Sequence, residues 1–98
     1  MSSMTSVAGS YGQSVGDQSL TVGVSAGALT VPTDAIGAMI TNGAEAIRIR
    51  WGASPPTASV GHYLNPYSVL DLYTSDLDRI KLIRVSGDSV IHVTYFGE

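Results

Sequence analysis

From Leu20 onward, short runs of apolar and β-branched residues are separated by clusters of Gly, Pro, Asn, Asp and Ser. That spacing is the one expected of strands in a sandwich or barrel. It predicts eight strands: Leu20–Val24, Ala28–Val31, Ile36–Thr41, Ala46–Trp51, Val60–Leu64, Ser68–Tyr73, Arg79–Val85 and Ser89–Phe96. The breaks carry Ala26-Gly27, Pro32-Thr33-Asp34, Asn42-Gly43, Pro55-Pro56, Asn65-Pro66, Ser75-Asp76 and Gly87-Asp88. Asn42-Gly43 and Gly87-Asp88 read as two-residue hairpin turns, because Gly and Asn tolerate the positive φ of primed turns. No stretch has the 3.6-residue period of a long amphipathic helix.

Strict alternation assigns faces. In Ile47-Arg48-Ile49-Arg50-Trp51 the apolar positions share one face, so Trp51 is expected in the core with Ile47 and Ile49, and both arginines on the polar side. In the last strand Ile91, Val93 and Tyr95 oppose His92, Thr94 and Phe96. The run Ile80-Lys81-Leu82-Ile83-Arg84-Val85 breaks the alternation, which predicts a bulge or a strand covered on both faces. The fold expected is all-β: a compact two-sheet β-sandwich, jelly-roll-like in strand number, with an extended N-terminal arm.

The arm is residues 1–19, with six Ser, three Gly and no Lys or Arg; the sandwich is residues 20–98. Such a segment buries too little on its own to offset its ordering entropy. Laid across a neighbouring subunit, Val7, Tyr11 and Val15 are its candidate anchors.

Composition narrows the function. Ninety-eight residues make one domain, without cysteine and therefore without disulfides, thiolate metal sites or a cysteine nucleophile. No signal-peptide pattern or bilayer-length apolar run is present, so a soluble protein is expected, with no membrane partner. A net charge of -3 gives no attraction to phosphate backbones, and nucleic acid is not expected as a partner. Only 13% of residues are charged, about half the ~25% usual for soluble domains. On so small a body this points to surface covered by other subunits, hence a homo-oligomer, trimer or dimer.

Catalytic chemistry finds no pattern. His62 and His92 have Val60, Leu64, Val90 and Thr94 two residues away, so neither has a metal-ligand neighbour on its strand face. No serine lies in a Gly-x-Ser-x-Gly elbow, no Gly-rich stretch has the phosphate-cradling GxxxxGK[ST] form, and the paired histidines and glutamate of a cupin are missing. No catalytic residue, metal or cofactor is expected. Arg48 and Arg50 are candidates for contact with an acidic partner surface, or for cross-strand pairing with a carboxylate such as Asp71. Trp51 before Gly52 is also how some sugar-binding modules present a stacking platform, with Tyr63, Tyr67 and Tyr73 as companions.

The course Ile47-Arg48-Ile49-Arg50-Trp51-Gly52, Pro56-Thr57-Ala58-Ser59-Val60-Gly61, Leu64, Val69 to Leu72, Leu77 to Ile83 and Ile91-His92-Val93-Thr94-Tyr95-Phe96 resembles small virion proteins of tailed bacteriophages. The resemblance covers about residues 36–96; Trp51 directly before Gly52 and Ser59 in place of a common Thr are departures that leave the implied role intact. That role is structural: capsid decoration or cement protein, with the major capsid protein as partner, made in the host cytoplasm and located on the virion surface. A head–tail junction or tail-surface protein is a second virion reading, and a carbohydrate-binding β-sandwich module a third.

Overall fold

The computed structural model describes residues 13–52, 54–73 and 77–97. Among the described residues eight strands form: β1 (Gln13–Val22), β2 (Gly27–Ala28), β3 (Gly37–Thr41), β4 (Ile47–Trp51), β5 (His62–Leu64), β6 (Val69–Leu72), β7 (Ile80–Arg84) and β8 (Ser89–Gly97). A 3-10 turn, Leu77–Arg79, precedes β7 and buries Leu77. The strands build two four-stranded antiparallel sheets, ordered β1-β8-β3-β6 and β2-β7-β4-β5.

The two-residue period determines what lies between the sheets. Along β8, Ser89, Ile91, Val93, Tyr95 and Gly97 are buried, while Val90 and His92 are exposed. Ile40 and Ala38 of β3 extend the same layer, and Ile47, Ile49, Ile80 and Leu82 face it from the other sheet. Close packing of these β-branched and γ-branched side chains supplies the main driving force for closing the two layers.

Two turn assignments are overturned. Asn42-Gly43 joins β3 to β4 and Gly87-Asp88 joins β7 to β8, yet in each case the two strands belong to different sheets. A primed two-residue turn needs hydrogen-bonded neighbours, whereas these strands lie a sheet-to-sheet distance of ~10 Å apart. Among the described residues neither segment takes a positive φ. Gly43 answers to closeness instead: a Cβ there would sit 2.4 Å from the Val90 carbonyl oxygen. The one pair of consecutive strands that hydrogen-bond each other is β4 and β5, joined by residues 52–61, within which Thr57 and Val60 exchange backbone bonds.

Three further expectations shift. Residues Gln13–Ser19, placed with the arm, are the first seven of β1, paired along β8 from Gln13–Gly97 to Ser19–His92. Their own alternation is weak, but β8 supplies the backbone partners. Residues 1–12, with Val7 and Tyr11, lie outside the described residues. β7 holds an unbroken register against β4 and has no bulge; Ile83 simply stands on the outer face opposite Arg48. The register shift occurs in β1 between Ser14 and Gly16, so Val15 is the extra residue. Trp51 has the inward parity of Ile47 and Ile49 but ends the strand and is 41% exposed, outside the core.

Candidate functional site: margins and outer faces of the sandwich

A buried polar knot ties the sheets together at one end. Asn42, only 2% exposed, donates through Nδ2 to the carbonyls of Glu45 (2.9 Å), Asn65 (2.9 Å) and Leu64 (3.4 Å). Its Oδ1 accepts from the Gly43 N–H at 2.8 Å and from Ser89 Oγ at 2.9 Å. One side chain thereby links the end of β3, the start of β4, the end of β5 and the start of β8. Among the described residues no buried side-chain polar atom lacks a partner. A second tie closes the β1/β2 margin: Tyr95 Oη donates to Gln18 Oε1 at 2.8 Å, which also accepts from the Thr30 N–H at 3.2 Å.

The two arginines singled out in the sequence face outward from β4 but bind their own chain. Arg48 donates from Nε to the Ala58 carbonyl (3.0 Å) and from Nη1 to the Gly61 carbonyl (2.9 Å), and its guanidinium lies 5.2 Å from the Tyr63 ring centroid. Arg50 Nη1 reaches the Pro55 carbonyl at 3.4 Å. Together they hold the 52–61 connection against the sheet. Gly61, at φ 132° with Ile49 O 3.2 Å from where a Cβ would lie, lets that connection turn back into β5. Pairing of Arg48 or Arg50 with Asp71 is ruled out, because Asp71 stands on β6 of the other sheet, opposite Met39. Val15 is partly buried and packs against the core, so its contact in this structure is internal.

The histidines differ. His62 begins β5 and stacks on Trp51, with ring centroids 5.5 Å apart. His92, in the middle of β8, has Asp17 Oδ2 3.2 Å from Nε2 and Ser19 Oγ 3.3 Å from Nδ1. With the proton on Nε2, the ring donates to Asp17 and accepts from Ser19. This is a serine–histidine–aspartate set, but it lies exposed on an outer sheet face. Sequence inspection missed the set because its members are 73 and 75 residues apart and meet only through strand register. Among the described residues no group of three His, Cys, Asp or Glu side chains could hold a metal ion. Two shallow open depressions, about 240 Å³ beside Pro32, Ala35 and Leu77 and about 450 Å³ beside Gln13, Val15 and Ile36, each have a single carboxylate in their lining, Asp78 and Asp34.

What the surface does concentrate is apolar side chain. Eight large hydrophobic residues among those described are exposed, and six of them fall between positions 51 and 73: Trp51, Val60, Tyr63, Tyr67, Val69 and Tyr73. These belong to the end of β4, to the edge strands β5 and β6, and to their connections. Tyr67 is 73% exposed and is the only non-glycine residue described with positive φ, 62°. It occupies the third position of a turn in which the Ser68 N–H donates to the Asn65 carbonyl at 3.2 Å. No protein-family model, curated protein or solved structure matches the chain.

Proposed function

We propose that the chain is a non-enzymatic structural protein of a tailed-phage virion, a decoration or cement protein that binds the outside of the major capsid protein lattice and stabilises the head. The observation that carries this reading is the concentration of exposed apolar side chains along the β5/β6 margin of the two-sheet body. Exposed apolar surface of that kind marks a protein contact. The strand orders β1-β8-β3-β6 and β2-β7-β4-β5 support it when read as two interleaved Greek keys, a jelly roll. Many copies on a lattice convert individually weak contacts into firm attachment. The test is co-sedimentation with assembled heads and with unassembled capsid subunits of the same phage. Binding to heads alone, with a rise in their melting temperature, is expected; absence from heads, or equal binding to free subunits, overturns the reading.

One observation favours a second reading, a carbohydrate-binding module: Trp51 is exposed, with one ring face on His62. A blue shift and protection from quenching of Trp51 on adding glycans would select it over the first.

A further inference from the structure

A sandwich of two open sheets has four edge strands, and each unprotected edge is a template for pairing with another chain. Here the edges are β1, β2, β5 and β6. β1 is interrupted by the bulge at Val15 and flanked by the Gln18–Thr30 tie. β2 has two residues and β5 three, too short to template much. β6 alone has neither protection: four residues, Val69-Leu70-Asp71-Leu72, with no bulge, proline or lysine.

Its open side is defined by register. The Asn42 N–H donates to the Ser68 carbonyl at 2.8 Å, so that pair is a hydrogen-bonded one. Alternation along an antiparallel ladder then makes Ile40–Leu70 and Ala38–Leu72 the bonded pairs with β3. The N–H and C=O of Val69 and Asp71 therefore point away from β3, and among the described residues nothing pairs with them. We infer that β6 pairs antiparallel with β6 of a second copy across a two-fold axis at Leu70. A two-fold perpendicular to the sheet must fall on a residue to keep core faces aligned, so Leu70 and Asp71 are the central choices. Centring on Asp71 sets two carboxylates directly opposite, which disfavours that register. Centring on Leu70 sets Val69 opposite Asp71 of the second copy, twice, and closes four backbone hydrogen bonds. The same register brings exposed Tyr67 beside Tyr73 of the second copy.

A second copy is the occupant rather than a loose peptide because the contact is self-complementary and closes on itself, hiding both open edges at once. Its area also fits a reversible dimer. At ~200 Å² per fully exposed tyrosine, the exposed parts of Tyr67, Val69 and Tyr73 amount to at most about 360 Å² per copy, or about 700 Å² over two copies, the size of a weak, reversible contact. This inference is independent of the virion reading.

Sedimentation equilibrium of the full chain from about 10 µM to about 1 mM tests it. A concentration-dependent dimer is expected. Asp71→Pro removes an outward N–H without touching the β3 ladder and should leave a folded monomer, checked by circular dichroism. Val69→Asp, opposite Asp71 of the second copy, should weaken the dimer about tenfold, whereas Val69→Lys should hold it or tighten it by about two- to tenfold. A wild-type monomer at the highest concentration, a dimer unchanged in folded Asp71→Pro, or equal effects of Val69→Asp and Val69→Lys would each overturn the proposal.

Discussion

Replacing Asn42 by alanine tests whether the polar knot holds the sheets in register. The substitution deletes five hydrogen bonds at once and leaves the carbonyls of Glu45, Leu64 and Asn65, the Gly43 N–H and Ser89 Oγ without that partner. A buried group left unsatisfied costs about 1–3 kcal/mol. The bonds to Leu64 and Ser89 are fully buried and the other three partly so, so water regains some of the latter. The expected loss is about 3–4 kcal/mol, against a total of roughly 5–15 kcal/mol for a domain of this size. Urea unfolding followed by far-ultraviolet circular dichroism measures it as a lower midpoint at constant slope. Ser89→Ala, which removes one bond, should cost about 1 kcal/mol. Asn42→Asp keeps the shape but turns a donor into an acceptor facing three carbonyls. Its carboxyl is then favoured in the protonated form in the folded state. Stability should be highest below the ordinary aspartate pKa of about 3.9 and fall as pH rises above it. A loss below about 1 kcal/mol for Asn42→Ala, no larger than for Ser89→Ala, refutes the reasoning.

The remaining expectations concern single groups. Burial pushes the Tyr95 hydroxyl up to about 12, so the unfolded chain loses this proton near pH 10 while the folded one keeps it. Its contribution is intact below pH 10 and is lost between pH 10 and about 12, at up to about 1.4 kcal/mol per pH unit; Tyr95→Phe should flatten that slope in alkaline melts. Gly43→Ala forces a Cβ onto the Val90 carbonyl and should cost about 1–3 kcal/mol in urea, whereas a neutral result would show that β8 yields there. Arg48→Met should free the 52–61 connection and raise its rate of proteolytic cleavage without lowering the melting temperature by more than a few degrees. Trp51 should be readily quenched by iodide, and a blue-shifted, unquenched emission would place it in the core instead.

Local pattern made the strands legible because period two is written into β4 and β8 and clusters of turn residues bound the others. All eight expected strands have a counterpart; the alternation in β4 correctly selects Ile47 and Ile49 for the core, and that in β8 groups on one face Ile91, Val93 and Tyr95, which are buried. Sheet membership was not legible, because Asn-Gly and Gly-Asp report a tight reversal without saying whether the next strand stays in the sheet. That ambiguity hid the role of Asn42, whose partners lie up to 47 residues away. Trp51 misled because parity gives a direction, whereas burial also requires the sheet to continue past the residue. Arg48 and Arg50 were rightly placed outward, but their acceptors are carbonyls of the next loop, which have no signature in residue type.

Tyr67 separates what the fold needs from what the surface does. Pro66 fits the second position of its turn, but the third, at φ 62°, is one that glycine or asparagine fills more easily. A non-glycine residue in the left-handed region costs roughly 1–2 kcal/mol. The side chain recovers little of this from packing, being 73% exposed. A residue that strains its turn and faces solvent is what the self-association proposed above would call for. Tyr67→Asn, which tolerates that conformation, should therefore stabilise the isolated domain by about 0.5–1 kcal/mol in urea while weakening self-association. If the substitution instead lowers stability by more than about 1 kcal/mol, Tyr67 serves the fold of its own chain, and the case for the β5/β6 margin as a contact surface loses its most exposed member.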